Sequence, residues 1–276
     1  MAPCAAALPA CDAALVSAVR TALLAAAVPA KAPAMQAYMR SALPFYGVSA
    51  VPRDRALQAV LASQPPLRSF AAWRDTALGL WRGAAAREER YAVFALLAHA
   101  QYAEHSSSLQ ALPLYEELVV SGAWWDYVDA VAPRHLGGLL AAHGAAFAPT
   151  LRAWARCDDV WKRRAAMIAQ LGAGRQLDSA LLFDCIGANL LGSPHGHVFW
   201  IQKAAGWALR QHARVAPDEV RAYVAAQGDA LSALTRREAL KHIGTKRGGG
   251  GAKAPAAKRR RSASQGPAKA AAAESA

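Results

Sequence analysis

An all-α fold of stacked helical hairpins is what this sequence predicts, and three observations predict it. Alanine and leucine dominate the chain, period-2 alternation is nearly absent, and the short connections between apolar-periodic segments carry Pro, Gly, Ser or Asp. Alanine and leucine favour helix, half-buried strands require alternation, and short connections join antiparallel neighbours. With 276 residues, 54% hydrophobic and 18% charged, the chain holds apolar material for one large or two modest domains.

In chain order, the periodicity places helices over 11–28, 34–42, 53–63, 67–82 and 87–103. A second group follows over 113–121, 123–132, 135–143, 147–156 and 159–172, and a third over 178–190, 197–214, 217–226 and 235–243. Tryptophan-bearing helices begin near Trp125, Trp161 and Trp200, 36 and 39 residues apart, close to the two-helix unit of HEAT-like solenoids. The fold class expected is therefore an all-α, HEAT-like helical-repeat solenoid, a curved superhelix whose inner helices line one face. After Gly244 the composition collapses to Gly, Ala, Lys, Arg, Ser and Pro without apolar periodicity. This divides the chain into a domain over 1–245 and a disordered basic tail over 246–276.

Charge points to a polyanionic partner. Lys plus Arg number 32 against 19 Asp plus Glu, a net charge of +13. The tail carries eight basic residues and one acid, Glu274, so it accounts for +7 and the body keeps +6. The run 258–261 reads as a nuclear localisation signal, a phosphate grip or a solvated charge cluster. Cys4, Cys11, Cys157 and Cys185 show neither zinc-site spacing nor a disulfide framework, so a reducing compartment is the default. Asp12 and Arg20 interrupt the N-terminal apolar runs, and no stretch reaches about 18 uncharged apolar residues, so neither a secretory signal nor a membrane partner is expected. There is no GxGxxG, P-loop, HExxH or GxSxG, and His195 and His197 alone do not make a metal site.

Three helices carry chemistry off their packing faces. At about 100° per residue, Trp200, Lys203, Trp207, Arg210 and Arg214 share one stripe, while Ile201, Ala204, Ala205, Ala208 and Leu209 supply a separate apolar one. Indoles interleaved with cations suit a nucleic-acid groove, although indoles packed on a neighbouring helix beside solvated cations fit the same pattern. On the helix near 160, Arg164 projects into the apolar face formed by Val160, Trp161, Met167, Ile168 and Leu171, whereas Arg163 lies off it as a surface charge. An arginine there needs either a core carboxylate or an anionic ligand. Near 125, Trp124, Val128 and Val131 form the packing stripe, and Trp125 and Asp129 share a flank four residues apart. That pair reads as a cation-stabilising pocket or as an interhelical ion pair beside a partly buried ring.

Five segments resemble the AlkD-like family of DNA alkylation repair glycosylases. They are AYMRSALPFYGV at 37–48, WWDYVD at 124–129, WKRRAAMIAQL at 161–171, FWIQKAAGWALRQHA at 199–213 and LTRREALKHI at 234–243, in the family's order. The resemblance implies a solenoid that wraps duplex DNA and excises cationic N3- or N7-alkylated purines without a tight base pocket. On matching positions it implies Asp129 as catalytic carboxylate, Trp125 and Trp207 as aromatic contacts, and Arg164, Arg210, Lys203 and Tyr38 as DNA contacts. It implies no metal or organic cofactor. A monomer is expected, in the nucleoid-associated cytoplasm of a bacterium or the nucleus of a eukaryote. Two departures mark this chain: a longer loop at 192–198 beside Trp207, and an extra residue before Pro52 that bears on how Tyr38 is presented. A catalytically silent binder of branched or distorted DNA, and a protein-interaction scaffold, are the competing readings.

Overall fold

The computed structural model describes residues 8–243, and among these there is no β-strand. The segment 246–276 lies outside the described residues. The helices are α1 (Ala13–Ala25), α2 (Ala32–Met39), α3 (Ala50–Ser63), α4 (Phe70–Arg82), α5 (Arg87–Leu97), α6 (Ala103–Ser106), α7 (Leu112–Gly122) and α8 (Trp125–Val131). They continue as α9 (Gly137–His143), α10 (Ala148–Trp154), α11 (Val160–Ile168), α12 (Ser179–Gly187), α13 (Phe199–His212), α14 (Pro217–Gln227) and α15 (Ala233–Leu240).

The polar residues in the connections act as caps. Asp12, Ser69, Asp159, Asp178 and Ser232 each accept a backbone N–H from the first turn of the helix they precede. Two helices end on a left-handed residue, Arg40 after α2 and Ala123 after α7. The helices then stack in two layers. In one, α3, α5, α8, α11, α13 and α15 pack each on the next; in the other, α1 packs on α4 and α4 on α7, with α10 on α12 further along. This is the helical-repeat solenoid, and the tryptophan-bearing helices α8, α11 and α13 are consecutive members of one layer.

Two boundaries differ from the periodicity. The helix expected over 87–103 stops at Leu97, because the chain turns extended at His99 and buries Tyr102, whose hydroxyl accepts from the Leu67 N–H at 3.1 Å. The break expected between 132 and 135 is instead a π turn over Ala132–Leu136 that joins α8 to α9. Pro133 lies within this continuous run and cannot donate to the Asp129 carbonyl one turn back, which suits a local departure from the α-helical ladder.

The segment before α3 is pinned to the first turn of α5. Buried Glu88 accepts the backbone N–H groups of Tyr46, Gly47 and Val48 at 3.1, 2.9 and 3.0 Å. Gly47 has φ +84°, and a Cβ there would lie 2.1 Å from the Val28 carbonyl oxygen, so only glycine fits. Through this loop the end of α2, with Tyr38 and Met39, is held near α5.

Candidate active site

α8 buries Tyr127, Val128 and Val131 completely, which turns Trp125 and Asp129 toward the open side of the layer. Asp129 keeps 18% of its side chain exposed, and Trp125 is half-buried. Arg164, on the neighbouring α11, is only 5% exposed along its side chain and grips Asp129 through two parallel bonds. Its Nε donates to Oδ1 and its Nη2 to Oδ2, both at 2.8 Å, while Nη1 donates to the Trp200 carbonyl at 2.9 Å. Of the two partners open to Arg164, the carboxylate is realised, and it is Asp129 itself. The guanidinium carried over as a DNA contact is therefore turned inward.

Burial pushes the Asp129 carboxyl up, Arg164 pulls it back, and Asp126 pushes it up again; the balance leaves it above the ordinary aspartate value. Each oxygen of a carboxylate has two lone pairs, so one bond from Arg164 leaves each able to accept another.

A cluster of three indoles meets the pair through Trp200. Trp124, Trp161 and Trp200 meet with centroids 6.2, 5.8 and 5.9 Å apart, and the Arg164 guanidinium lies 5.8 Å from the Trp200 ring. The stripe reading placed Trp200 beside Lys203 and Trp207, whereas the ring closes onto Trp124 and Trp161. The available signal was the repeat of tryptophan-bearing helices, although the ring that joins the cluster is Trp124, 37 residues before Trp161, and not Trp125.

Further along α13, Trp207 is half-buried with one side against the core. Lys203 and Arg210 flank it, and both reach Glu238 on α15, Lys203 at 3.3 Å and Arg210 in close contact. Arg214 is exposed. Tyr38 is 52% exposed at the end of α2. The structure thus joins Asp129 to Arg164 directly, and Lys203 to Arg210 through Glu238. It brings the helices of Trp125 and Trp207 into one layer without direct contact between the rings.

Arg163 requires a correction: it is 4% exposed, not a surface charge. α11 is packed by α10 and α12 as well as by α8 and α13, so the flank beside Arg164 faces protein too. Its guanidinium collects the carbonyls of Arg156, Cys157 and Ala188, at the C-terminal ends of α10 and α12, and the Asn189 side-chain oxygen. Cations are favoured at helix C-termini.

The sequence reading also missed a second polar network on the other flank of α8. Arg87, 6% exposed, donates to Asp126 Oδ1 at 2.7 Å and lies 4.1 Å over the Tyr127 ring, while the Tyr91 hydroxyl donates to Asp126 Oδ2 at 2.7 Å. Above it is an open hollow of about 470 Å³ lined by Met39, Arg53, Tyr91, Phe94, Trp125 and Asp126. The acids of WWDYVD and the charged REER run at 87–90 were the available signals.

One helical layer of the solenoid thus carries an arginine-held carboxylate beside an indole cluster, followed by a cation-flanked tryptophan. The chain belongs to the DNA alkylation repair enzyme family, whose sequence model matches residues 19–243. It is similar to a solved structure described as a predicted DNA alkylation repair enzyme from Enterococcus faecalis, with 27% identity, 79% of this chain and 96% of that chain covered, and a TM-score of 0.66. No curated protein matches.

Proposed function

We propose that this member of the family is a DNA glycosylase that excises cationic N3- and N7-alkylated purines from duplex DNA. The observation that carries the reading is Asp129, a carboxylate fixed in orientation by a buried arginine yet still open to solvent beside half-buried indoles. Alkylation has already placed a positive charge on the base. As the C1′–N bond breaks, its electron pair goes to the base, which leaves neutral, and positive charge moves onto the deoxyribose. Asp129 stabilises that oxocarbenium-like sugar. Water then adds to C1′ and gives its proton to solvent, leaving an abasic site. A leaving group that departs neutral needs no acid, so one carboxylate suffices where sugar hydrolases use two.

In this scheme Arg164 acts through Asp129 rather than on a phosphate. Trp125 and Trp207 add cation–π stabilisation, and the partly exposed Lys203, Arg210 and Tyr38 meet the DNA. The test is single-turnover release of 7-methylguanine from a duplex. Asp129→Asn is expected to lower the rate by about 100-fold or more while DNA affinity persists. A second reading is favoured by one observation: Arg164 engages both Asp129 oxygens, as a purely structural pair would. That reading is a silent binder of distorted DNA. Wild-type protein that binds but never releases the alkylated base supports it and removes the enzyme.

A further inference from the structure

Glu238 lies outside the resemblance-derived site, yet it holds two of its members. It sits on α15, where Ser232 caps the helix and the Thr235 hydroxyl donates to the Gln202 carbonyl of α13 at 3.1 Å. One turn further along α13, Gly206 lets the helices touch: a Cβ there would lie 2.7 Å from the Glu238 Cβ and 3.3 Å from the Thr235 Cα. This fixes the Glu238 carboxylate, 13% exposed, between Lys203 and Arg210. Those two cations are seven residues apart, about 10.5 Å along the helix axis, with Trp207 between them on the same stripe.

A buried-side carboxylate beside two cations has two possible consequences for a polyanion. As a counter-ion it removes one unit of charge and weakens attraction. As an anchor it fixes two flexible side chains, leaving their remaining donors aimed outward. The exposure favours the anchor. Lys203 and Arg210 keep 31% and 22% of their side chains open, and a guanidinium bound through Nη1 retains further N–H donors for a phosphate. Arginine and lysine side chains lose rotamer freedom when they bind, and an anchor supplies that ordering in advance.

We infer that Glu238 is a positioning residue, which sets Lys203 and Arg210 as a preformed clamp for DNA phosphates on either side of Trp207. This rests on the reading that the α13 face meets duplex DNA, and the experiment separates the two. Affinity for an undamaged duplex is measured against salt concentration for the full chain, with thermal melting of each variant as a folding check. Glu238→Gln adds a unit of positive charge to the protein, so electrostatics alone predicts tighter binding and a steeper salt slope. The clamp predicts the reverse: binding weaker by roughly three- to tenfold and a salt slope shallower by about one. Glu238→Asp keeps the charge but shortens the reach by one methylene, and the clamp predicts weakening there as well. Tighter or unchanged binding by Glu238→Gln, or wild-type binding by Glu238→Asp, overturns the inference. Arg210→Ala serves as the reference: weakened binding establishes the DNA face, and unchanged binding removes that face and the clamp with it.

Discussion

α8 carries two arginine–aspartate pairs three residues apart, and they are nearly twins in exposure. Asp126 and Arg87 are 13% and 6% exposed, Asp129 and Arg164 18% and 5%. Their surroundings differ. Asp126 receives a different donor on each oxygen, from Arg87 and Tyr91, and Arg87 lies over the Tyr127 ring and reaches Ser41 at 3.3 Å. That network ties α5, α8 and the end of the α2 loop together. Among the described residues Asp129 is held by Arg164 alone, and burial keeps its carboxyl above the ordinary range. A closed network suits structure, whereas a carboxylate oriented by one rigid partner with lone pairs to spare suits a developing positive charge.

The contrast is broken most directly by exchanging the two acids for their amides. Asp126→Asn leaves Arg87 buried with half its network, and a cost of about 3 kcal/mol in unfolding free energy is expected, with excision per folded molecule within about threefold of wild type. Asp129→Asn leaves Arg164 buried in the same way, so a comparable cost in stability is expected, but here excision per folded molecule falls by about 100-fold. Urea unfolding and single-turnover release on the same two proteins give the four numbers. If both variants lose activity in proportion to stability, the pairs are equivalent and the assignment of Asp129 fails.

A smaller effect sharpens the role of Arg164. Arg164→Lys keeps the charge but cannot make two parallel bonds, and a roughly tenfold loss in excision rate is expected near neutral pH. The pH profile carries the finer information. The active form of Asp129 is ionised, so activity falls as pH decreases through its pKa. Because burial places that pKa above the ordinary aspartate value, the acid limb begins at higher pH than for a solvated aspartate. Losing one of the two parallel bonds favours the protonated form further, so the limb of Arg164→Lys moves up. An unmoved limb assigns it to another group.

The fold was legible because its signal is local. Each of the fourteen expected helices has a counterpart, since alanine, leucine and capping residues act within a turn or two of their own position. What escaped depends on neighbours distant in sequence. Arg163 could not be separated from a surface arginine while the number of helices around α11 was unknown. Glu88, Arg87 and Glu238 look like ordinary helical charges until the loop, α8 and α13 that they serve are in place. Trp200 was drawn onto the cation stripe because angle along one helix ignores the indoles of the helices beside it. The Asp129–Arg164 pair was half legible: the misplaced arginine demanded an anion, but the sequence alone did not say which.

The exposed pair between Arg152 and Asp184, at 2.8 Å, provides the low end of the scale. Its side chains are 36% and 48% exposed, so water screens both charges and an ordered geometry brings little gain. Arg152→Ala is expected to change unfolding free energy by less than about 1 kcal/mol and to leave excision unaltered. The bond length here equals that of the Asp129 pair, so a large loss would show that distance governs these interactions. A negligible one leaves burial and the count of donors as the variables that separate Arg152–Asp184 from the two pairs on α8.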